Sequence, residues 1–388
     1  MLNYHIRPMI YFDYNATAPV MREAREAWLN VTEKIGGNPS SMHQAGTRAS
    51  IALADAREKL AALLGCHPLD LIWTSGATEA NNMVTHHFAQ TLGAQDEIWI
   101  SAIEHPCVHD SAKHYFGRRA KLIPVTRDGV VDMDWVTMEL ADKRPGLIGV
   151  MAANNETGVI QPWRELHAIC KAYAVPFFTD AVQFIGKLPM TGLGECDFVS
   201  GAAHKFGGPR GVGFLKIPHR KAITPLLHGG KQEGGRRAGT ENVAIIAAMM
   251  AALEVREKQI ARSEHLLRKV WRDNFEAQFL RALPGATILG QTQPRLWNTV
   301  SALMPEGDRK SQWVIRLDKA GYAVSTGSAC TTGKEEPSHV LSAMGYKSAQ
   351  AHRAVRMSAG WETTEADWDA LLKAVVKVHG EMQGSKAA

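Results

Sequence analysis

The fold is decided by residues 175–216, whose sequence is VPFFTDAVQFIGKLPMTGLGECDFVSGAAHKFGGPRGVGFLK. Three apolar runs, at 175–179, 197–200 and 212–216, read as strands. The first run ends on Asp180, and the second is followed by a glycine-rich turn that contains Lys205. Lys205 follows Asp180 by 25 residues, which is the length of one crossover between parallel strands. We therefore expect a sheet to bring both side chains to the same edge.

The same alternation extends toward the N-terminus. Further strand-like runs lie at 71–73, 97–101 and 147–151, and helical patterns lie at 78–92, 106–116 and 163–174. Strands that alternate with helices of this length indicate an α/β fold with a mainly parallel sheet covered on both faces. Ligands of such sheets bind beyond the carboxyl ends of the strands, and the unusual residues of this sequence cluster there.

The last third of the chain predicts a second, smaller domain. A glycine-rich polar stretch at 229–240 precedes a long helical pattern at 242–279. Strand-like runs follow at 300–304 and 322–325, and a terminal helix is predicted from 365 to about 379.

Composition excludes several classes of protein. The 388 residues are 45% hydrophobic and 21% charged, as in globular proteins, and the net charge of +5 is too small to indicate nucleic-acid binding. We expect neither a secretory signal nor a membrane span, because no apolar run of the required length occurs. The five cysteines are scattered without a CxxC pair, so we expect no disulfide framework, no metal site and a reducing, cytoplasmic setting.

Three segments carry candidate chemistry, and each has two interpretations. Residues 75–79, SGATE, lie between a strand and a helix, where free N–H groups form either a phosphate site or an ordinary helix cap. Asp180 is either the partner of a protonated ring nitrogen or a helix-capping residue. Lys205 is either a surface lysine or an amine that its small neighbours desolvate, which would make it a nucleophile toward a carbonyl.

Two cysteines differ from the others in their surroundings. Cys330 lies in a loop of small polar residues at 324–333. An exposed thiol in such a loop is at risk of oxidation, so its presence there indicates a functional role. Cys107 follows His105 and Pro106 and is the possible exception among the remaining four, which lie in apolar or helical surroundings.

Together these segments resemble the cysteine desulfurases, pyridoxal phosphate enzymes of the class V aminotransferase group. The matching motifs are YFDYNAT (11–17), GNPSS (37–41), TSGATE (74–79), Glu104-His105, NNETG (154–158), DAVQ (180–183), His204-Lys205, RAGT (237–240), GSAC (327–330) and Arg356. The resemblance implies the type I fold of pyridoxal phosphate enzymes. Its seven-stranded large domain would span 16–260, and an α+β small domain with the cysteine loop would comprise 1–15 and 261–388.

The resemblance also implies a role for each matching residue. Lys205 would bind the cofactor covalently and His105 would stack on its ring. Around the ring and the phosphate, the implied cofactor ligands are Asp180 for the ring nitrogen, Gln183 for the ring hydroxyl, Ala77, Thr78 and His204 near the phosphate, and Thr240 of a neighbouring subunit. Asn155 and Arg356 would bind the substrate carboxylate, for which the guanidinium fork is suited. Cys330 would accept the sulfur.

The implied activity is conversion of L-cysteine to L-alanine with a persulfide on Cys330. The sulfur would pass to an acceptor protein, in iron–sulfur cluster assembly or in thiolation of a nucleic acid or cofactor, and Thr240 implies a homodimer. Two alternatives remain: a selenocysteine lyase or another class V aminotransferase-type lyase, and an inactive scaffold that binds a sulfur-acceptor protein. Cys330 distinguishes the first, because transamination does not need a loop thiol.

Two positions depart from the family pattern. Ala202 occupies a position where a hydroxyl residue usually binds the phosphate, and Lys231 occupies one where glycine is usual. We expect the loss of one phosphate hydrogen bond to cost about 0.5–1.5 kcal/mol, unless Ser200 or His204 compensates.

Overall fold

The computed structural model describes residues 9–306, 310–326 and 337–387. Its strands are β1 (Ile10–Tyr11), β2 (Leu71–Thr74), β3 (Ile98–Ser101), β4 (Ala120–Ile123), β5 (Leu147–Gly149), β6 (Phe177–Asp180), β7 (Phe198–Ala202), β8 (Gly213–Lys216), β9 (Thr287–Ile288), β10 (Thr299–Leu303), β11 (Tyr322–Ala323) and β12 (Ala354–Ser358). Its helices are α1 (Arg22–Lys34), α2 (Gln44–Leu64), α3 (Ala77–Thr91), α4 (Pro106–Phe116), α5 (Met133–Asp142), α6 (Trp163–Ala172), α7 (Val243–Ala261), α8 (Glu264–Ala282), α9 (Lys310–Lys319), α10 (His339–Ala343), α11 (Ser348–Ala351) and α12 (Glu365–Ala387).

The central sheet has seven strands in the order β2-β8-β7-β6-β5-β3-β4. β8 pairs antiparallel with both of its neighbours, and the other pairings are parallel, so the sheet is mainly parallel as predicted. β6 and β7 pair in register with Asp180 opposite Ser200. A short 3-10 turn, Ala203–Lys205, follows β7 directly. This register brings Asp180 and Lys205 to the same edge.

Buried apolar side chains cover both faces of this sheet. One core includes Leu60 of α2, Leu166 of α6 and Leu253 of α7. The other includes Val84 of α3 and Val108 of α4. Because both faces are covered, the strands are continuously apolar, which is the pattern that made them readable in the sequence.

A smaller antiparallel sheet, β12-β10-β9, forms around a separate apolar cluster. That cluster joins residues from both ends of the chain, among them Phe12, Phe279 of α8 and Trp368 of α12. β1 pairs in parallel with β11, so the N-terminal segment runs beside elements of the last third of the chain.

The structure contains a strand of the central sheet that the sequence did not indicate, and it divides one predicted helix in two. β4 was not predicted, because three of its four residues are only half-buried or exposed at the sheet edge and form no apolar run. The single helical pattern at 242–279 forms two helices, α7 and α8, which are separated at Ser263 by a left-handed backbone with φ of 57°. Within the described ranges, no helix combines the length and apolar character that crossing a bilayer requires.

Candidate active site

A cavity of about 990 Å³ opens beyond the carboxyl ends of the central strands. Nine of the predicted site residues line it: Ala77, Thr78, His105, Asn155, Asp180, Gln183, His204, Lys205 and Arg356. Thr240 is not among the lining residues of the described chain and is exposed. Cys330 lies outside the described residues, but Ser325 and Pro337 on either side of its segment both line the cavity.

Lys205 presents a poorly hydrated amine to this cavity. Its Nζ donates to the carbonyl oxygens of Asn15 and Ala16, both at 2.7 Å. Burial, followed by the positive charge of Arg356, lowers the pKa of Lys205 from 10.5 to about 8. An appreciable fraction of the amine is therefore neutral near pH 7, as a nucleophile toward an aldehyde requires.

Asp180 ends β6 and is 6% exposed. Its Oδ1 accepts from the backbone N–H of Val182 at 3.0 Å, and its Oδ2 accepts from Nδ2 of Asn81 at 2.7 Å. Asn81 lies on α3 and is fully buried. Both carboxylate oxygens are thus anchored, and the group is fixed as an acceptor at the cavity wall.

His105 is the N-cap of α4 and is open to the cavity. Its Nδ1 accepts from the backbone N–H of Cys107 at 3.2 Å and lies 2.9 Å from the thiol of the same residue. Removal from bulk water lowers the pKa of His105. We call Asn81, His105, Cys107 and Asp180 the Asp180 cluster.

The start of α3, residues Gly76, Ala77 and Thr78, forms another part of the cavity wall. The helix has no side-chain cap, so its first N–H groups and the positive end of its dipole are available to an anion. Gly76 has φ of +154°, a conformation that favours glycine. Glu79 follows on the helix and forms an ion pair with Arg237 at 2.8 Å, which ties the glycine-rich stretch to this helix.

The two residues proposed to compensate for Ala202 differ in position. Ser200 is fully buried on β7, does not line the cavity, and its Oγ lacks a partner among the described atoms. It is therefore not available to a phosphate in the cavity. His204 does line the cavity, with Nδ1 at 3.2 Å from Oγ1 of Thr17. Burial and the nearby cations lower its pKa to about 4, so it is neutral at pH 7.

Arg356 lies on β12 and is 4% exposed. Its guanidinium donates to the carbonyl oxygen of Asn155 at 2.9 Å and to Oδ1 of Asp13 at 2.6 Å. The small sheet thus contributes a cation to a cavity that is otherwise lined largely by the large sheet. A buried guanidinium in the same cavity wall as Asn155 is suited to a carboxylate ligand.

Asn15 connects the floor of the site. Its carbonyl oxygen accepts from Lys205 and from Nε2 of Gln183, and its Oδ1 accepts from Nζ of Lys187 at 3.0 Å and from Asn298. Lys187 also donates to Oε1 of Gln183 at 2.6 Å, and complete burial lowers its pKa well below the usual value. These bonds fix which end of the Gln183 amide carries the hydrogens.

One cluster away from the cavity has metal-ligand residue types. The ligand atoms of His67, Asp70 and His219 lie within 4.8 Å of one another. Nδ1 of His219 is 2.7 Å from Oδ1 of Asp70, so the carboxylate is already engaged. Arg220 and Arg236 line the same small hollow. Their positive charge opposes a divalent cation, so this cluster gives no support for a metal.

Comparison with known proteins identifies the family. Residues 10–371 match the family model of the class V aminotransferases. A cysteine desulfurase IscS of Dictyoglomus turgidum is 38% identical, with 95% of this chain and 94% of the relative covered. The chain belongs to the cysteine desulfurases. The NifS-like protein of Rickettsia africae has a TM-score of 0.86 at 31% identity over 96% of this chain and 99% of its own. SspA, solved in complex with cysteine, has a TM-score of 0.77 at 28% identity over 90% and 98%.

Membership of this family confirms the predicted fold class, the enzyme class and pyridoxal phosphate as the cofactor. The side chains that line the cavity also match the chemical groups of that cofactor. Lys205 offers an amine of lowered pKa to an aldehyde, and Asp180 offers a fixed carboxylate to a ring nitrogen. The uncapped start of α3 offers N–H donors to a phosphate.

Sequence reasoning missed Asn15, Asn81, Lys187 and Asp13 as parts of the site. Asn15 and Asp13 lie inside the matching motif at 11–17, so the resemblance carried a signal for them. Asn81 lies one helical turn after Thr78, on the face of α3 that is buried. No local sequence pattern indicated that Lys187 belongs to the site. Its complete burial in the structure shows this.

Proposed function

We propose that this chain converts L-cysteine to L-alanine and retains the removed sulfur as a persulfide on Cys330. The observation that carries the proposal is the shared cavity of Lys205, Asp180 and Arg356, in which a lowered-pKa amine faces a carboxylate and a buried guanidinium. Those three groups match the aldehyde and ring nitrogen of the cofactor and the carboxylate of an amino acid.

The chain's own residues divide the work as follows. Arg356 and Asn155 bind the carboxylate of L-cysteine and orient its thiol toward the rim between Ser325 and Pro337. His105 would pack on the cofactor ring, Asp180 would hold a proton on the ring nitrogen, and Gln183 would donate to the ring hydroxyl. Ala77, Thr78 and His204 of one subunit and Thr240 of the partner subunit would hold the phosphate. When bound, pyridoxal phosphate supplies an electron sink for the α-carbon of the substrate.

Lys205 and Cys330 carry the proton and the sulfur. The neutral amine of Lys205 would accept the α-proton of the bound substrate. The Cys330 thiolate then attacks the substrate sulfur: an S–S bond forms, the C–S bond breaks, and its electron pair stays with the substrate carbon, which takes up a proton. L-cysteine and a thiol thus give L-alanine and a persulfide without another oxidant or reductant.

Several finer properties belong to the same proposal. The chain acts as a homodimer: Thr240 is exposed and does not line the cavity of its own chain, which leaves its hydroxyl available to a second subunit. The large domain spans 16–260, and 1–15 with 261–388 form the small domain. An acceptor protein takes the sulfur. The location is cytoplasmic, supported by four free cysteines in the described ranges.

The function is tested with the purified enzyme, L-cysteine and a thiol reductant, by measuring alanine and sulfide together. We expect equal amounts of both from the wild type, and loss of both from Cys330→Ser. Cys66→Ser is the matched control, since burial raises the pKa of that thiol to about 11 and it lies outside the cavity. Full output from Cys330→Ser would refute the persulfide mechanism.

The same assay separates the alternatives. A protein that purifies without bound cofactor and releases no alanine would be the inactive scaffold. A selenocysteine lyase would release alanine from L-selenocysteine and would release almost none from L-cysteine. Capture of proteins bound to the persulfide-loaded enzyme, with Cys330→Ser as the blank, identifies the acceptor.

A further inference from the structure

One of the described cysteines has its thiol in the wall of the cavity. Cys107, in the first turn of α4, lines the cavity next to His105. Its Sγ is 2.9 Å from Nδ1 of His105 and 3.1 Å from Nδ2 of Asn81. The mechanism proposed above gives this thiol no role, although it assigns the neighbouring His105 and Asp180 to the cofactor.

The hydrogen bonds around Cys107 have one consistent direction. Both oxygens of Asp180 accept hydrogen bonds, so the Asn81 atom at 2.7 Å from Oδ2 is the amide nitrogen. The second hydrogen of that nitrogen points to Sγ of Cys107, which accepts it. The side-chain hydrogen bond from Thr78, which acts to lower the pKa of the thiol, also runs toward the sulfur. The thiol hydrogen is then left to donate, and Nδ1 of His105 is within reach.

The backbone gives independent support for this direction. The N–H group of Cys107, which can only donate, is 3.2 Å from the same Nδ1. An Nδ1 that accepts from this group carries no hydrogen of its own, so the ring hydrogen is on Nε2. The position at the N-terminus of α4 acts in the same sense, because the helix dipole opposes a positive charge there.

We propose that Cys107 is a positioning residue, whose neutral thiol links Asp180 through Asn81 to His105 and holds His105 as the Nε2–H form. The inference rests on the proposed function and deepens it. His105 then holds a proton at Nε2, on the side of the ring that is free of these bonds. The proposal also states what Cys107 is not: it does not accept sulfur.

The charge environment agrees with a neutral thiol beside a neutral imidazole. Burial, followed by the negative charge of Asp180, raises the pKa of Cys107 to about 12, whereas accepting sulfur requires a thiolate. For His105, removal from water lowers the pKa. The charged or titratable groups that face His105 are Asp180 and Asp110, which raise its pKa, and Lys205 and His339, which lower it; the Glu104 side chain that precedes it is buried with a pKa raised well above the usual value.

The test compares Cys107→Ala with Cys107→Ser in the full-length holoenzyme. Nitrogen NMR of ¹⁵N-histidine-labelled protein reports the tautomer of His105, with His105→Gln identifying its signals. We expect the Nε2–H form in the wild type and in Cys107→Ser, and a mixture of forms in Cys107→Ala. Because the thiol bond stabilises neutral His105, its loss raises the pKa, so we expect the acid limb of kcat/KM in Cys107→Ala to move up by about 0.5–1 pH unit.

Two outcomes would overturn the proposal. One is an unchanged tautomer and acid limb in Cys107→Ala, which would make the thiol a space-filling group. The other is a persulfide on Cys107, seen by mass spectrometry of the wild type after L-cysteine. Because the tautomer is read without substrate, an active Cys330→Ser enzyme would refute the proposed function and leave this result intact.

Discussion

The Asp180 cluster and the start of α3 are two parts of one cavity wall with different construction. In the Asp180 cluster, Asn81 is fully buried, and its amide is bonded both to Asp180 and to Cys107. At the start of α3, Thr78 is exposed and the helix has no side-chain cap. One chain alone therefore fixes the chemistry of the Asp180 cluster, whereas the anion site at α3 is left for a ligand to complete, together with the second subunit that we propose.

The largest expected effect comes from Lys205, which faces both parts of the wall. In Lys205→Ala we expect alanine formation to fall by at least ~10³-fold, because both covalent attachment and proton abstraction are lost. The visible absorbance of the bound cofactor should disappear at the same time. Lys187→Met serves as a comparison that removes a different buried amine. Retained alanine formation in Lys205→Ala would show that the two parts of the wall do not serve one reaction.

The next effect tests the Asp180 cluster. Asp180→Asn keeps the shape of the side chain but removes the charge that would hold a ring proton. We expect turnover to fall ~10²–10³-fold, as when one electrostatic contact to the reacting system is removed. Cofactor content should stay close to that of the wild type, since Lys205 and α3 remain. A large loss of cofactor without a loss of turnover per bound cofactor would reverse the assignment.

A smaller effect concerns pH. Cofactor removed from the enzyme should rebind fastest when Lys205 is neutral, and the pKa of Lys205 is lowered to about 8. The neutral fraction rises through that value, so the rebinding rate should increase about tenfold from pH 7 to pH 9. Stopped-flow absorbance measures the rate, with Lys205→Ala as the blank. A midpoint near 10.5 would mean that burial does not tune this amine.

The smallest expected effect tests whether a second subunit contributes to the anion site at α3. Thr240→Ala removes one hydroxyl that we assign to the phosphate bound in the partner subunit. We expect cofactor to bind ~3–10-fold more weakly, in line with the loss of one hydrogen bond, with near-normal turnover at saturating cofactor. Equilibrium dialysis measures the affinity. Thr292→Ala, a threonine outside the cavity lining, is the control. An unchanged affinity would show that one chain completes both parts of the wall.

The sequence predicted the central sheet well, for a physical reason. Strands buried on both faces are continuous apolar runs, so β5, β6 and β7 were visible without context. β4 lies at the edge, where only Ile123 is buried, and it carried no such run. The break between α7 and α8 could not be predicted either, because Ser263 adopts a left-handed backbone conformation that is unusual for a serine.

The site was predictable where motifs follow strands and not where it depends on distant packing. Asp180 ends one strand and Lys205 follows the adjacent one, so spacing alone indicated their proximity. The Asn81 amide and the Lys187 amine act through partners 99 and 172 residues away, at Asp180 and Asn15. The role of Cys107 could not be read either, since it depends on the direction of hydrogen bonds rather than on the presence of a thiol.

The hydrogen bonds of Asn15 determine when, during synthesis of the chain, the site can form. Its backbone N–H donates to Oγ of Ser358, 343 residues later, and its Oδ1 accepts from Asn298. β1 likewise cannot pair until β11 has been synthesised. The carbonyl group that holds Lys205 is therefore set in place only after almost the whole chain has left the ribosome. Cofactor capture in the finished geometry is thus a post-translational event, and a nascent chain stalled before Ser358 would lack it.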